Sequence, residues 1–174
     1  MTSHRFPNLG DLIAANGEYA AGFQDADLHS APTRHLAVVA CMDARLDVSG
    51  LLGLANGEAH VMRNAGGVVT DDVIRSLCLS QRSLGTKEIV LIHHTDCGLQ
   101  KIDATDFKGV LEAETGIKPP WAVEAFGDPH RDVVQSANRL RASPFLPEKQ
   151  HISGFVYDVE TGLLERVDLP RHQP

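Results

Sequence analysis

The residues with chemistry to offer fall in three short runs: Cys41-Met42-Asp43-Ala44-Arg45, Arg63-Asn64-Ala65-Gly66-Gly67 and His93-His94-Thr95-Asp96-Cys97-Gly98. The first supplies a thiolate, a carboxylate and a guanidinium. The third supplies an imidazole, His94, and a second thiolate, Cys97, three positions later. Two sulfurs and one nitrogen fill three corners of a tetrahedral zinc and leave the fourth open, which distinguishes a catalytic zinc from a structural one. If the runs converge in space they make a zinc hydro-lyase or hydrolase. Cys41 is far from His94 in the chain, so only the fold can bring them together, and spacing alone leaves Cys41 and Cys97 equally readable as buried apolar thiols.

The elements that must position these residues can be read from hydropathy. HLAVVACMD (35–43), AHVMRNA (59–65) and EIVLIHH (88–94) are short apolar runs and read as strands. In 70–85, Thr70 caps a helix, Asp71 and Asp72 fall in its first turn, Val73, Ile74 and Leu77 form a face, and Gly85 stops it. A second helix is read over Asp106 to Glu114. A third opens at Asp128-Pro129, with Val133, Val134, Ala137 and Leu140 on one side. KPPWAVEAFGD reads as loop or broken helix. Two final strands flank Glu160-Thr161-Gly162, a hairpin signal. At the other end, Leu9, Leu12 and Ile13 have helical spacing behind a possible cap at Asn8, with Gly17 weakening the pattern; residues 24–34 read as loop. Fully apolar strands alternating with helices predict an α/β fold: a mainly parallel central sheet flanked by helices, with hairpin-like strands at the C-terminus. Such sheets place ligands beyond the carboxyl ends of their strands, where Cys41, His94 and Cys97 would stand.

Composition narrows the class. The 174 residues fit one domain (1–174), 43% hydrophobic and 22% charged. With 16 Lys and Arg against 23 Asp and Glu, the net charge of −7 argues against nucleic acid or an anionic membrane surface as partner. No stretch approaches a membrane span, and the first residues lack a basic segment followed by an apolar one, which points to the cytoplasm. Three cysteines, an odd count, argue against a disulfide framework. Cys78 reads as core or interface rather than ligand.

Asp43 and Arg45 directly after a buried strand form a charged pair that is costly unless paired or functional. The pair reads as a salt bridge closing the strand end, as a device by which Arg45 holds Asp43 toward water on the metal, or as both. Gly66-Gly67 is readable either as a close backbone approach shaping a pocket wall or as a plain turn.

In this order and at these separations, CMDAR, RNAGG and HHTDCG resemble the β-class carbonic anhydrases, with the match running from about Ala37 to Leu99. The resemblance implies one Zn²⁺ per chain held by Cys41, His94 and Cys97, with Asp43 and Arg45 as a catalytic dyad. It also implies that Asp43 joins the metal conditionally, in a closed state. The implied activity is that of a carbonate dehydratase, the reversible hydration of CO2 to bicarbonate and a proton by zinc-activated hydroxide. Zinc activation of water is familiar from carbonic anhydrases with three histidine ligands; two thiolates cancel more of the ion's charge, so Asp43, kept ionised by Arg45, would compensate by orienting the water. The resemblance further implies a homodimer or homotetramer, with residues 1–30 as a helical arm on a partner subunit. Two positions depart from the wider family: Ala44 stands for a frequent serine and His93 for a frequent glycine, and both are expected to reshape the pocket. Carbonyl sulfide or carbon disulfide hydrolysis at the same zinc is an alternative, and a non-catalytic zinc or thiol redox protein a more distant one. His29, His60 and His93 are candidates for proton export, none of them assigned.

Overall fold

The computed structural model describes residues 8–170. Its centre is a five-stranded sheet of order β2-β1-β3-β4-β5, formed by β1 (Leu36–Cys41), β2 (Ala59–Asn64), β3 (Glu88–His94), β4 (His151–Tyr157) and β5 (Leu164–Val167). The first four strands run parallel and β5 returns antiparallel to β4. The expected α/β architecture is therefore present, including the terminal hairpin. Its turn is held by Asp158, whose carboxylate accepts from the amides of Glu160 and Thr161 at 2.8 and 3.0 Å.

β1 is an interior strand between β2 and β3, and it reads as an unbroken apolar run because both of its faces are covered. One face packs Ala37, Val39, Ile89 and Leu91 against α3 (Asp71–Leu84) and α5 (Pro129–Ala142), which contribute Val73, Leu77, Val133, Ala137 and Leu140. The other packs Val38, Ala40 and Ile92 against Leu46, Val48, Val68 and Leu99 from the segments beyond the strand ends. Val48 belongs to a short helix, α2 (Val48–Leu52), which is too brief to show a period in the sequence.

Caps fix the helix boundaries where side-chain chemistry predicts them. Asn8 accepts from Gly10 N at the start of α1 (Leu9–Ala21), Thr70 from Val73 N at α3, and Asp128 from His130 and Arg131 N at α5. Gly85 ends α3 at φ 74°. α4 (Ala104–Thr115) starts before the expected Asp106 because Asp103 caps it, accepting from Thr105 and Asp106 N. Gly17 does not break α1, but α1 buries none of its residues, leaving Leu9, Leu12 and Ile13 exposed.

Candidate metal centre

The parallel register sets the site. Cys41 is the last residue of β1 and His94 the last of β3, its hydrogen-bonded neighbour, so both side chains emerge at one end of the sheet. Cys97 follows where the chain turns into a 3-10 segment, Gly98–Lys101, and its amide donates to Gln100 Oε1 at 2.9 Å. A ligand atom from each of Cys41, His94 and Cys97 lies within 4.8 Å of the other two, and all three residues are buried. A tetrahedral zinc with Zn–S about 2.3 Å and Zn–N about 2.0 Å needs its ligands about 3.5–3.8 Å apart, within that envelope.

Two features of the donor set fit a cation. Nδ1 of His94 lies 2.8 Å from the Thr95 carbonyl, which can only accept; Nδ1 therefore carries the proton and Nε2 presents a lone pair. That Nε2 is buried and makes no hydrogen bond among the described residues, a costly state for a polar atom unless a metal takes the lone pair. The thiols give the second indication. Cys41 is held below the usual thiol range, chiefly through its hydrogen bond with Cys97, whereas Cys97 is pushed above it by the same contact and by burial. Two adjacent thiols share one proton; a divalent cation is what allows both to ionise.

Asp43 and Arg45 form the expected pair. Arg45 Nε donates to Asp43 Oδ1 at 2.9 Å and Nη2 to Oδ2 at 2.8 Å, and the Arg45 amide adds a third bond to Oδ1 at 2.9 Å. The guanidinium holds the Asp43 carboxyl well below the ordinary carboxylate range, so Asp43 is an acceptor at neutral pH. Its Oδ2 lies 3.7 Å from His94 Nε2, at the edge of the metal-binding trio.

The second run supports the first from behind. Arg63 Nε donates to the Cys41 carbonyl at 2.9 Å and Nη2 to the Asp43 carbonyl at 2.6 Å, fixing the loop that carries ligand and acid. Gly67 settles the two readings of Gly66-Gly67 in favour of close approach. At φ 71°, a Cβ there would lie 2.7 Å from Cys41 N and 2.9 Å from Ile92 O, both backbone atoms that cannot give way. Arg63, Asp96 and Gln100 all serve the site without having been singled out in the sequence; their position inside or beside the three runs was the available signal.

His93 neighbours the ligand His94 in sequence but has partners of its own. It is fully buried, but it does not join the trio: Nε2 donates to Asp132 Oδ2 of α5 at 2.7 Å and the ring packs against Phe126 at a centroid distance of 5.3 Å. Consecutive strand residues face opposite sides, so the residue beside His94 must point away from it. Of the other export candidates, His60 is bonded to Ser80 Oγ and the Ser30 carbonyl, and His29 is exposed. Cys78 lies apart from the trio on α3, with its Sγ 3.7 Å from the Phe145 carbonyl.

Comparison with known proteins agrees with this arrangement. Residues 36–164 match the model of a family described as carbonic anhydrase. Beta-carbonic anhydrase 1 of Mycobacterium tuberculosis is 54% identical over 157 residues, covering 90% of this chain and 96% of that protein. A carbon disulfide hydrolase of Acidithiobacillus thiooxidans is 38% identical over 152 residues, covering 75% of this chain and 76% of its own. Among solved structures, a carbonic anhydrase from Streptococcus mutans superposes with a TM-score of 0.87 at 42% identity, covering 94% of this chain and 99% of that one.

Proposed function

The chain belongs to the β-class carbonic anhydrases, and from that premise we propose that it catalyses the reversible, zinc-dependent hydration of CO2 to bicarbonate and a proton. The observation that carries the reading is the buried Cys41–His94–Cys97 trio with an ionised Asp43 at its edge. Sγ of Cys41, Nε2 of His94 and Sγ of Cys97 would hold the ion. Zinc bound there supplies Lewis acidity that makes water a nucleophile near neutral pH.

The chain's own groups do the rest. Asp43 accepts a hydrogen bond from the attacking water and so orients its lone pair toward the carbon of CO2. Because acceptance requires the carboxylate, Arg45 acts by keeping Asp43 ionised and aimed through two side-chain bonds at once. His94, proton on Nδ1, offers Nε2 without competing for the water's protons. The hydrophobic shell of Ala40, Ile92 and Leu99 behind the trio keeps bulk solvent from the ligand atoms.

Carbon disulfide or carbonyl sulfide hydrolysis is the second reading, favoured by the similarity to a carbon disulfide hydrolase. The chemistry is the same attack on a linear heteroallene. The higher identity to a protein named as a carbonic anhydrase places CO2 first. Parallel rates on CO2, carbonyl sulfide and carbon disulfide with one zinc-loaded preparation decide between them; a CO2 rate at the uncatalysed background overturns the first reading.

The same proposal includes a homodimer or homotetramer in the cytoplasm, with the arm expected over residues 1–30, of which 1–7 lie outside the described residues, packing on a partner subunit. Support comes from α1, whose Leu9, Leu12 and Ile13 are 57–70% exposed, an apolar stripe that none of the described residues covers. No helix among the described residues is long and apolar enough to cross a membrane. Sedimentation of a Leu12→Glu, Ile13→Glu double variant tests the arm: a smaller species than the parent is expected, and an unchanged one contradicts it.

A further inference from the structure

Asp43 and Arg45 are only two residues apart, so their pair is local to the loop after β1 and cannot by itself relate that loop to the one carrying His94 and Cys97. Asp96 makes that connection. Arg45 Nη1 donates to Asp96 Oδ2 at 3.0 Å and Nη2 to the Asp96 carbonyl at 3.2 Å, while Nε and Nη2 serve Asp43. Lys101 Nζ pairs with the other carboxylate oxygen, Oδ1, which leaves Oδ2 for Arg45. The guanidinium therefore bridges the loop that begins at Cys41 to the short loop between His94 and Cys97.

We propose that Asp96 is a positioning residue of this site: its carboxylate and carbonyl hold the Arg45 guanidinium in place, so that Arg45 presents a fixed fork to Asp43. The inference rests on the reading of Asp43 and Arg45 given above. Its physical basis is the cost of ordering. Arg45 and Asp96 side chains are 44% and 50% exposed, and a single ion pair at such exposure gains little because solvent screens it and both side chains lose rotamer freedom. A guanidinium already gripped by one loop loses that freedom once, and each further acceptor then adds geometry at small entropic cost. Lysine in place of Arg45 has no fork with which to serve two acceptors. Asp96 itself sits at φ 55°, in the left-handed region that aspartate and asparagine tolerate better than most residues. The strained position is what turns its carbonyl and its carboxylate toward the same arginine.

That backbone angle also selects the test. Asp96→Gly removes the carboxylate without straining the backbone, and Asp96→Asn removes the charge while keeping one acceptor. Both are compared, zinc-loaded and as the full chain, with the parent, Arg45→Ala and the Arg45→Ala, Asp96→Gly double variant. We expect one zinc per chain in every case, and a kcat roughly fivefold lower in Asp96→Gly with KM unchanged, the asparagine variant falling between it and the parent. In the Arg45→Ala background the glycine substitution should cost nothing further. Independently of turnover, the Arg45 Nε–H resonance should exchange with solvent faster in Asp96→Gly than in the parent. A parental kcat in Asp96→Gly, an equal loss without Arg45, unchanged Nε–H exchange, or loss of zinc would each overturn the proposal. A failure of the underlying reading shows elsewhere, as parental activity in Arg45→Ala, while the exchange measurement still reports whether Asp96 fixes the guanidinium.

Discussion

Both faces of the central sheet carry histidine and cysteine. Toward the loops beyond β1 and β3 stand His94, Cys41 and Cys97; toward α3 and α5 stand His93 and Cys78. His93 and His94 are consecutive and both wholly buried. They differ in what meets the ring. The Nε2 of His93 has a carboxylate at 2.7 Å, so its donor is satisfied and its role is to tie β3 to α5. The Nε2 of His94 has no hydrogen-bond partner among the described residues and faces two thiols, so its lone pair is available to a cation. Each ring keeps one buried nitrogen without a hydrogen-bond partner among the described residues, Nδ1 in His93 and Nε2 in His94; neither residue type nor burial identifies the ligand, whereas the two thiols gathered around the His94 nitrogen do.

The comparison can be broken most severely at His94. His94→Ala should reduce the zinc content of the purified protein and bring CO2 hydration to the background of the buffer; retention of both zinc and rate would erase the distinction between the two histidines. His93→Ala should do the reverse, lowering unfolding free energy by about 3 kcal/mol through a lost charge-assisted hydrogen bond and the cavity left behind. Its zinc stoichiometry and kcat should remain near the parent's, as denaturant titration with parallel metal analysis would show. Asp43→Asn sharpens the comparison within the metal-binding face: the fold and the zinc remain, and kcat/KM falls about 10²-fold because the amide can donate where the carboxylate only accepts. Smallest is Cys78→Ser, the cysteine of the other face. It should change activity not at all and stability by about 1 kcal/mol or less, where an equivalent change at Cys41 removes a ligand.

Most of the architecture was legible because its interior strands β1 and β3 are largely buried on both faces. LAVVAC and EIVLIHH are apolar runs with no alternation, and Thr70, Asp128, Gly85 and Asn8 announce helix ends through their own hydrogen bonds. The ligand trio was legible from residue type together with its place at strand ends. What was not legible depends on contacts between distant segments. The partner of His93 is Asp132, 39 positions later: the alternation within β3 sets the side of the ring, and nothing local names the residue that it meets. Gly67 could have been any turn glycine until β1 and β3 came against it. Asp96 lay in plain view between His94 and Cys97, but its carboxylate gains a role only when the fold brings Arg45 to it.

The central claim is that one zinc, held by Cys41, His94 and Cys97, is what makes the chain an enzyme. Stripping the full-length protein with a chelator and returning zinc in measured fractions, with CO2 hydration followed at each step, tests it most directly. The rate should start at the buffer background, climb in proportion to zinc and level off at one ion per chain. Full activity in the stripped protein, or a rate that ignores the returned metal, would contradict it.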